Sequence, residues 1–305
     1  MFSQQIKDKA LEIGFSACGI TSAEDLPSER KIIFRQWLQN GFHGDMHYLQ
    51  RNLDKRMSPQ LLLEGVKSII VVLLNYHNPM YHKKKRSVYT VAEYALGCDY
   101  HIVMRDKLRK LSDFIQGYSS EIQSRSFVDT APVLEKYLAC KAGLGTLGKN
   151  TLLLTKKGSY FFIGEIYTTV SLRYDTSFLQ DCCSFCKQCI KACPVQALET
   201  PYCLDTNKCL AYHTIENKNN IPKEIQTKID KHIYGCDICQ QVCPYNKEAE
   251  VTKVKEFSIK PEFLQWDDFA WENMDKDTFE RVFADSALYR IGYTKLMQTI
   301  ALASK

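Results

Sequence analysis

Apolar and polar positions alternate along the first half of the chain in patterns that predict helices and strands in turn. The continuous apolar run from Lys67 to Tyr76 is rich in β-branched residues, which is typical of a strand buried on both faces. Helices are predicted over residues 2–14, 30–50 and 100–117, and extended segments over residues 15–20, 125–129, 151–155 and 160–170. These elements predict an α/β layer domain over residues 1–175.

The pattern changes after residue 175. In residues 176–250 the cysteines set the spacing, and large aliphatic residues are too few to build a core without bound metal. Residues 251–305 predict a short helical C-terminal segment with enough aromatic side chains to pack against the rest of the protein. These aromatic residues are Trp266, Phe269, Trp271, Phe279 and Phe283. The predicted fold is therefore an α/β domain followed by a metal-dependent module and a helical tail.

Composition and charge are those of an ordinary globular protein. The 305 residues are 45% hydrophobic and 25% charged, and the net charge of +5 is mild for this length. The N-terminal segment lacks the unbroken apolar core of a signal peptide, and no stretch approaches the roughly 20 apolar residues of a membrane span. We therefore expect a cytoplasmic protein without membrane association.

One basic segment departs from this mild charge balance. Lys83, Lys84 and Lys85 lie between His82 and Arg86, beside a tyrosine. A loop that approaches phosphate groups needs such a run of cations. From composition alone, however, a solvated surface loop remains the simpler interpretation.

Most of the thirteen cysteines crowd between Cys182 and Cys243, where one recognisable spacing occurs twice. The first group reproduces the pattern CxxCxxCxxxCP, in which three thiolates surround one 4Fe-4S cube and the fourth reaches another cube. It consists of Cys183, Cys186, Cys189 and Cys193, followed by Pro194. The second group has the same CxxxCP ending but lacks the leading cysteine. Cys209, which lies upstream in the sequence, is predicted to take its place. The second group consists of Cys236, Cys239 and Cys243, followed by Pro244.

If each of the two cysteines that precede proline is assigned to the cube of the other group, every cube has four thiolates. One cube is predicted to bind Cys183, Cys186, Cys189 and Cys243, and the other Cys193, Cys209, Cys236 and Cys239. Zinc would be satisfied by two isolated CxxC pairs and has no use for the CP endings. A disulfide scaffold conflicts with the expected compartment. Of the five remaining cysteines, Cys182 is a spare, Cys18, Cys140 and Cys203 are expected to be buried apolar residues, and Cys98 belongs to a segment considered below.

Three segments of the first half combine polar residues with glycines or a proline in ways that a plain core does not require. They span residues 94–101, 128–136 and 142–151. In the third segment Gly143, Gly145 and Gly148 form GxGxxG, but a predicted helix precedes them and no acidic residue follows at the required distance. The dinucleotide-binding interpretation is therefore weak.

The segments YALGCDYH, FVDTAPVLEK, AGLGTLGKN and IYGCDICQ, together with the double CP module, closely resemble the epoxyqueuosine reductase family. The resemblance covers roughly residues 10–250. It implies a nitroreductase-like cobalamin-binding domain, a ferredoxin-like module with two 4Fe-4S clusters, and a cobalamin bound base-off between them. The implied reaction reduces epoxyqueuosine to queuosine, the last step of queuosine synthesis, at the wobble position of tRNAs with Tyr, His, Asp and Asn anticodons.

The resemblance also implies roles for individual residues. Electrons would pass through the clusters to cobalamin, and Asp129 matches the family's proton donor, with its pKa raised by a covering corrin and base. Cys98 lies where the family approaches the cobalt face. The expected corrin-lining residues are Arg56, Cys98, Tyr100, Asp129, Asn150, Leu153, Gly164 and Ala211. The expected tRNA contacts are Lys83, Lys84, Lys85, Lys136 and Lys141.

The implied partners are a tRNA anticodon stem-loop and a soluble electron donor such as flavodoxin or ferredoxin, with the protein acting as a monomer. Many family members carry a helical-repeat extension that this sequence does not show, so the grip on tRNA is expected to come from the catalytic body. Two other functions remain open at this point. One is a reductive dehalogenase, which usually carries an export signal, and the other is a ferredoxin-like electron-transfer subunit without a cofactor in its first domain.

Overall fold

Helices and strands alternate along residues 1–176 and 183–305, which are the residues that the computed structural model describes. The strands are β1 (Ala17–Ser22), β2 (Ser68–Asn75), β3 (Thr90–Val91), β4 (Ser124–Phe127), β5 (Thr146–Leu147), β6 (Leu153–Leu154), β7 (Phe161–Thr168) and β8 (His232–Tyr234). The α-helices are α1 (Phe2–Ile13), α2 (Ser28–Gln39), α3 (Leu53–Met57), α4 (Met80–Lys84), α5 (Tyr100–Gln116), α6 (Glu135–Lys141), α7 (Gln188–Ala192), α8 (Leu210–Ile215), α9 (Lys223–Gln226), α10 (Ile238–Gln241), α11 (Pro261–Gln265), α12 (Asp268–Glu272), α13 (Lys276–Phe283) and α14 (Tyr293–Ala303). Short 3-10 helices span His47–Leu49, Pro59–Leu61, Glu93–Ala95, Pro244–Asn246, Lys255–Phe257 and Ala287–Ile291.

The main sheet is antiparallel, with the strand order β1-β2-β7-β4. The long apolar run forms β2, in which every residue is buried, as the sequence predicts. β2 lies between β1 and β7, α1 and α5 cover one face of the sheet, and α6 covers the other. The burial of both faces therefore comes from this central position and not from a parallel arrangement of strands.

A glycine allows α5 to pack closely on β7. A Cβ atom added to Gly164 would lie 2.6 Å from Met104 Cε and 3.0 Å from Leu108 Cδ1. Because protein cores are close-packed, a side chain at this position would push α5 away from the sheet. The glycine thus fixes the distance between the sheet and the helix whose N-terminus carries Tyr100 and His101.

The helical tail shares one apolar core with the cysteine-rich module and with the segment between α4 and α5. This core joins Leu96, Tyr234, Trp271, Phe283 and Leu288. β3 also pairs in parallel with β8, across the predicted boundary between domain and module. The predicted division at residues 175 and 250 stays a prediction, and this core crosses it.

The mixed α/β fold with C-terminal helices confirms the predicted fold class. Most of the tail aromatic residues are buried, including Trp271 and Phe279, whereas Phe269 is 73% exposed. Within the part of the chain that the structure describes, we find no helix that combines the length and the apolar character of a membrane span.

Candidate active site and cluster-binding cysteines

Cysteines from two distant loops meet on one side of the module. Cys183 and Cys243 pack in one small apolar cluster with Leu154. Burial raises the pKa of the Cys243 thiol, and the neighbouring thiols of Cys183, Cys189 and Cys186 raise this pKa further. The cysteine of the second CP pair therefore lies beside the first CxxCxxC run, which is the grouping that the crossed assignment predicts.

The other CP cysteine lies in a second group. Burial raises the pKa of Cys236 to about 12, with additions from Cys209, Asp237 and Cys193. Cys239 is close to Cys236 and Cys209, and burial holds its pKa well above the usual range. Cys239 also lies within electrostatic range of Cys189, so the two groups of thiols are neighbours.

The described cysteines form no disulfide with one another, and Cys182 lies outside the described residues. Cys18 and Cys140 pack against the apolar cores on the two faces of the sheet, and Cys203 is half-buried. In residues 1–176 and 183–305, no three Cys, His, Asp or Glu side chains converge as the ligands of a single metal ion would. Ligation of clusters by the eight predicted cysteines stays a prediction.

The glycine-rich turn connects the sheet domain to both cysteine groups. Lys149 is buried, and its Nζ donates hydrogen bonds to the carbonyl oxygens of Cys183 at 2.5 Å, Ser184 at 3.0 Å and Cys186 at 3.1 Å. The side-chain amide of Asn150 donates to the carbonyl oxygen of Cys239 at 3.3 Å. The turn follows α6 and opens the β5-β6 hairpin, so it lacks the strand-to-helix geometry of a dinucleotide loop.

Asp129 lies two residues beyond β4 in an unusual backbone conformation. Its φ of 52° is in the left-handed region, which non-glycine residues adopt only where surrounding contacts hold them. Its Oδ2 accepts a hydrogen bond from Tyr100 Oη at 2.7 Å and lies 3.1 Å from His101 Nε2. Its backbone N–H donates to Glu135 Oε1 at 2.5 Å. The side chain nevertheless remains 52% exposed, so a ligand can reach it.

The N-terminus of α5 positions the two residues that contact Asp129. Asp99 caps this helix by accepting a hydrogen bond from the backbone N–H of His101 at 2.9 Å. The Tyr100 ring stacks on Phe162 with a centroid separation of 4.2 Å. Both side chains are thereby fixed against the sheet and directed at Asp129.

His101 lies between two carboxylates. Its Nδ1 is 2.8 Å from Asp99 Oδ1, and its Nε2 faces Asp129. Burial lowers the pKa of His101, but the hydrogen bonds with Asp129 and Asp99 outweigh burial and raise the pKa to about 9. At neutral pH the imidazole is therefore a cation that donates to both carboxylates.

The pKa of Asp129 is shifted in the opposite direction. Burial alone would raise the pKa of Asp129, but the hydrogen bonds from His101 and Tyr100 lower it below its usual range. The sequence led us to expect a raised pKa beneath a corrin and a base. With its protein neighbours alone the pKa of Asp129 is lowered, because the imidazolium stabilises the carboxylate, and the raised pKa in the covered site stays a prediction.

Two further carboxyl groups lie near Asp129. Burial and the charge of Asp129 raise the pKa of Glu135 to about 8. Glu165, on β7, is fully buried, and neither of its side-chain oxygens has a hydrogen-bond partner among the described residues. Burial raises the pKa of Glu165 well above its usual range, so both groups are protonated at neutral pH. The sequence analysis missed Glu165, although a lone glutamate in an apolar strand was a usable signal.

A cavity of about 1290 Å³ lies between the helical tail and the segment that follows α8, and Asp129 and the side chains that contact it are not among its lining residues. Its wall includes Tyr48, Glu216 and Arg290, and Arg290 Nη2 forms an ion pair with Glu216 at 2.5 Å. Tyr48 and Arg290 are both within electrostatic range of Asp129. Cavities for drug-sized ligands measure about 300–1,000 Å³, so this space suits a larger ligand. Arg290 comes from the helical tail, and nothing in its local sequence indicated this position.

Arg56 and Asn150 have polar groups close to this region. Arg56 Nη1 donates to the Val133 carbonyl oxygen at 3.3 Å, whereas its buried Nε has no partner among the described residues. Asn150 is buried and lies beside Cys239. Arg56 is within electrostatic range of Tyr48, which lines the cavity, although Arg56 itself does not line it.

The other predicted corrin-lining residues are more dispersed. Leu153 is buried in the core beneath α6, and Ala211 is in α8, just after Cys209. Cys98 Sγ lies 3.4 Å from Asp285 Oδ2, so the thiol is hydrogen-bonded to the tail. Gly164 is buried under α5, and the close packing described above accounts for this glycine without a ligand.

The predicted tRNA-binding lysines differ in availability. Lys83 and Lys84 are exposed on α4. The ammonium of Lys85 instead donates to the carbonyl oxygens of Ser87, Val88 and Tyr89, at 2.7, 2.9 and 3.0 Å. We correct the prediction for Lys85, because this cation closes a loop and is not free for phosphate.

The two remaining predicted tRNA-binding lysines also have protein partners. Lys141 forms an ion pair with Glu24 at 3.0 Å, whereas Lys136 is exposed and donates only to the Thr151 carbonyl oxygen at 2.8 Å. Lys136 also lies within electrostatic range of Asp129 and Cys239. Lys136 therefore stands between the candidate active site and the second cysteine group.

Comparisons with known proteins identify relatives over nearly the whole chain. The family described as epoxyqueuosine reductase QueG, DUF1730, matches residues 56–130, and the 4Fe-4S double cluster binding domain matches residues 182–246. The epoxyqueuosine reductase of Cellulophaga algicola is 41% identical over 299 residues, which cover 98% of this chain and 96% of the relative.

Solved structures show the same relationship. An epoxyqueuosine reductase bound to an epoxyqueuosine-modified stem loop of tyrosine tRNA superposes with a TM-score of 0.89 and 29% identity, covering 99% of this chain and 80% of that chain. The Bacillus subtilis epoxyqueuosine reductase, solved with its catalytic aspartate loop swung out of the active site, superposes with a TM-score of 0.88 and 28% identity over the same shares of the two chains. The chain therefore belongs to the epoxyqueuosine reductase family of oxidoreductases.

Proposed function

We propose that this chain reduces epoxyqueuosine to queuosine at the wobble position of tRNAs with Tyr, His, Asp and Asn anticodons. One observation carries the proposal: Asp129 is held by Tyr100 and His101 in the domain whose glycine-rich turn hydrogen-bonds both cysteine groups. Reductive removal of an epoxide oxygen needs a proton source and a supply of electrons. Asp129 and the cysteine groups supply these two requirements.

The eight cysteines fit two 4Fe-4S clusters, since each group brings four thiols together from separate loops. None of the residues expected to contact base-off cobalamin lines the large cavity, and among them the unused Nε of Arg56 offers a donor to a polar ligand. Arg56, Tyr100, Asn150, Leu153 and Ala211 would hold the cobalamin. When bound, the clusters supply single electrons and cobalamin supplies a strongly reducing cobalt centre.

Asp129 and His101 handle the proton. Loss of the epoxide oxygen as water consumes two electrons and two protons and leaves an alkene. The His101 imidazolium, with its pKa of about 9, holds a proton at neutral pH and donates it toward Asp129 Oδ2. A base that covers Asp129 removes water from its exposed side, which raises the pKa of the carboxyl and favours its protonated form. Asp129 then donates this proton to the departing oxygen. Solvent reprotonates the His101 imidazole, which protonates Asp129 again, so that Asp129 also supplies the second proton.

Cations near the cavity and on α4 suit an RNA substrate. Lys83 and Lys84 are exposed, Lys136 borders the active site, and Arg290 faces the cavity. A relative solved with a tRNA stem loop provides the parallel for an anticodon stem-loop at this site. The enzyme would act as a monomer in the cytoplasm with a soluble electron donor.

Anaerobic reconstitution tests the proposal. Purified protein receives iron, sulfide and cobalamin, followed by epoxyqueuosine-containing tRNA and a reductant. We expect about eight irons and about one cobalt per chain, with conversion to queuosine seen by mass spectrometry of the nucleosides. If the protein binds iron but no cobalt, and converts no epoxyqueuosine, the proposed function is wrong and the chain is an electron carrier.

A further inference from the structure

The loop between the first two cysteines of the module exposes an aromatic side chain. Phe185 is 98% exposed, and apart from Met1 no other large apolar side chain in residues 1–176 and 183–305 is as exposed. The flanking Cys183 is buried, at 9% exposure. An aromatic ring in water directly above a cluster ligand has no packing role in the folded chain. A single exposed apolar side chain is common on protein surfaces, so it is the position of this ring in the cysteine loop, and not its exposure alone, that makes it a candidate contact.

Exposed lysines lie on the two chain segments that carry the first cysteine group. Lys187 follows Cys186, and Lys191 lies one turn later on α7; both are exposed. Lys247 is exposed in the turn that follows Cys243, with Glu248 as its acidic neighbour. The surface therefore has an apolar centre with a basic rim, which is the arrangement of a transient protein interface.

The first cysteine group is also the outer one. The second group adjoins the candidate active site, because Cys239 accepts a hydrogen bond from Asn150 and lies within electrostatic range of Lys136. The first group has the exposed Ser184, Phe185 and Lys187 above it. Cys189 and Cys243 are also less deeply enclosed than Cys236 and Cys239, so the first group is the more accessible entry for an electron from a protein donor.

We propose that Phe185, Lys187, Lys191 and Lys247 form the docking surface for a small acidic electron-carrier protein of the flavodoxin type. This proposal rests on the proposed function, whose electron donor it defines. Each encounter oxidises the carrier by one electron and reduces a cluster by one electron, so that two encounters supply one epoxide reduction. Opposite charges steer the encounter, and the single aromatic contact keeps the complex short-lived.

The test compares two reductants of the cluster-loaded enzyme. The variant Phe185→Ser/Lys187→Glu/Lys191→Glu is mixed by stopped flow with a reduced acidic flavodoxin and, separately, with dithionite. We expect flavodoxin to reduce the clusters at least about tenfold more slowly than in the unaltered enzyme, with a weaker dependence on salt. The rate with dithionite should be unchanged, because a small reductant needs no docking surface.

A matched control variant makes the same kinds of substitution on a different part of the surface. Phe269→Ser/Lys276→Glu also removes an exposed phenylalanine and reverses the charge of an exposed lysine, but on the helical tail. This control should leave both rates unchanged. If the triple variant binds less iron, the charge-only variant Lys187→Glu/Lys191→Glu decides, since it leaves the Cys183–Cys186 loop unaltered and changes only exposed side chains.

Two outcomes would overturn the docking surface. One is equal reduction by flavodoxin in the triple variant, the charge-only variant and the unaltered enzyme. The other is failure of flavodoxin to reduce unaltered clusters that dithionite does reduce. Cluster reduction is measured without tRNA or cobalamin, so it can succeed even where conversion of epoxyqueuosine fails. The two failures are therefore distinguishable.

Discussion

At the scale of single residues, Asp129 depends on neighbours that come from three separate parts of the sequence. Tyr100 and His101 are supplied by α5, Glu135 by α6 and Arg290 by the tail. Together they hold a half-exposed carboxylate in a left-handed backbone conformation. This arrangement suits a group that must meet a substrate and exchange a proton with the protein behind it.

Substitution of Asp129 by asparagine tests this role. An amide can still accept the hydrogen bond from Tyr100, but it cannot donate an acidic proton to the departing oxygen. We expect Asp129→Asn to retain its iron and cobalt and to lose turnover by about 10²–10⁴-fold, measured by nucleoside mass spectrometry in single-turnover reactions. The control Asp113→Asn changes an exposed carboxylate on α5 and should keep full activity. An active Asp129→Asn enzyme would remove Asp129 from the mechanism.

The imidazolium of His101 gives a prediction for pH. Its pKa of about 9 means that the folded state favours the cation. The stabilisation is therefore fully present below about pH 6.5, the ordinary pKa of histidine, and is lost as the pH rises through the folded-state value. We expect the His101 resonance of ¹³C-histidine-labelled protein to titrate near pH 9, and at lower pH in Asp129→Asn. His213, whose pKa burial lowers, is the internal control. Titration of His101 at its ordinary pKa in both proteins would contradict the imidazolium–carboxylate pair.

At the scale of elements, the periodicity of the sequence predicted the helices and strands well but not their arrangement. The run at Lys67–Tyr76 and the helix from Tyr100 appear almost where the pattern places them. The antiparallel order of the sheet depends on pairing between strands far apart in the chain, such as β1 with β2, which local patterns do not encode. The predicted strand end near Asp129 was close, because β4 stops two residues earlier.

The basic run on α4 divides into cations with different roles. The side chains of Lys83 and Lys84 are exposed and form no hydrogen bond with the described residues. The Lys85 ammonium instead donates hydrogen bonds to three carbonyl oxygens. We expect Lys83→Ala/Lys84→Ala to weaken tRNA binding and to reduce the slope of its salt dependence by about two phosphate contacts. Fluorescence anisotropy at several salt concentrations measures both. The control variant is Lys85→Ala, which should lower the stability of the fold and leave the salt dependence of tRNA binding unchanged. If the double variant binds tRNA as tightly as the unaltered enzyme, the basic run is only a solvated part of the surface.

At the scale of the whole molecule, the largest surprise for sequence reasoning is the core that joins the tail, the cysteine module and the segment around Leu96. The aromatic pattern predicted that the tail packs on something, but it did not identify the partner. Arg290 reaches the cavity only because this core fixes the 3-10 helix that carries it. Contacts between residues so far apart leave no periodic trace in one sequence.

Phe283 tests whether these parts unfold together. It is fully buried in the shared core between Trp271 and Phe263. Phe283→Ala should lower the free energy of unfolding by about 3–5 kcal/mol, and the loss of helical signal and of cluster absorbance in urea should shift together. Phe269→Ala, at an exposed position of the same tail, should change the free energy by less than about 0.5 kcal/mol. Separate shifts of the two signals would show that the tail and the module are independent.

The parallel pairing of β3 with β8 has a consequence for how the protein matures. Thr90 pairs with His232, and α14 packs on β8, so the frame around the cysteine loops closes only when the last helix is available. During synthesis, which adds about 5–20 residues per second, the cysteine loops leave the ribosome before that frame exists. Iron and sulfide would then have to be delivered after the chain is released. We expect ribosome-arrested chains that stop at residue 250 to bind no iron, whereas released full-length chains do.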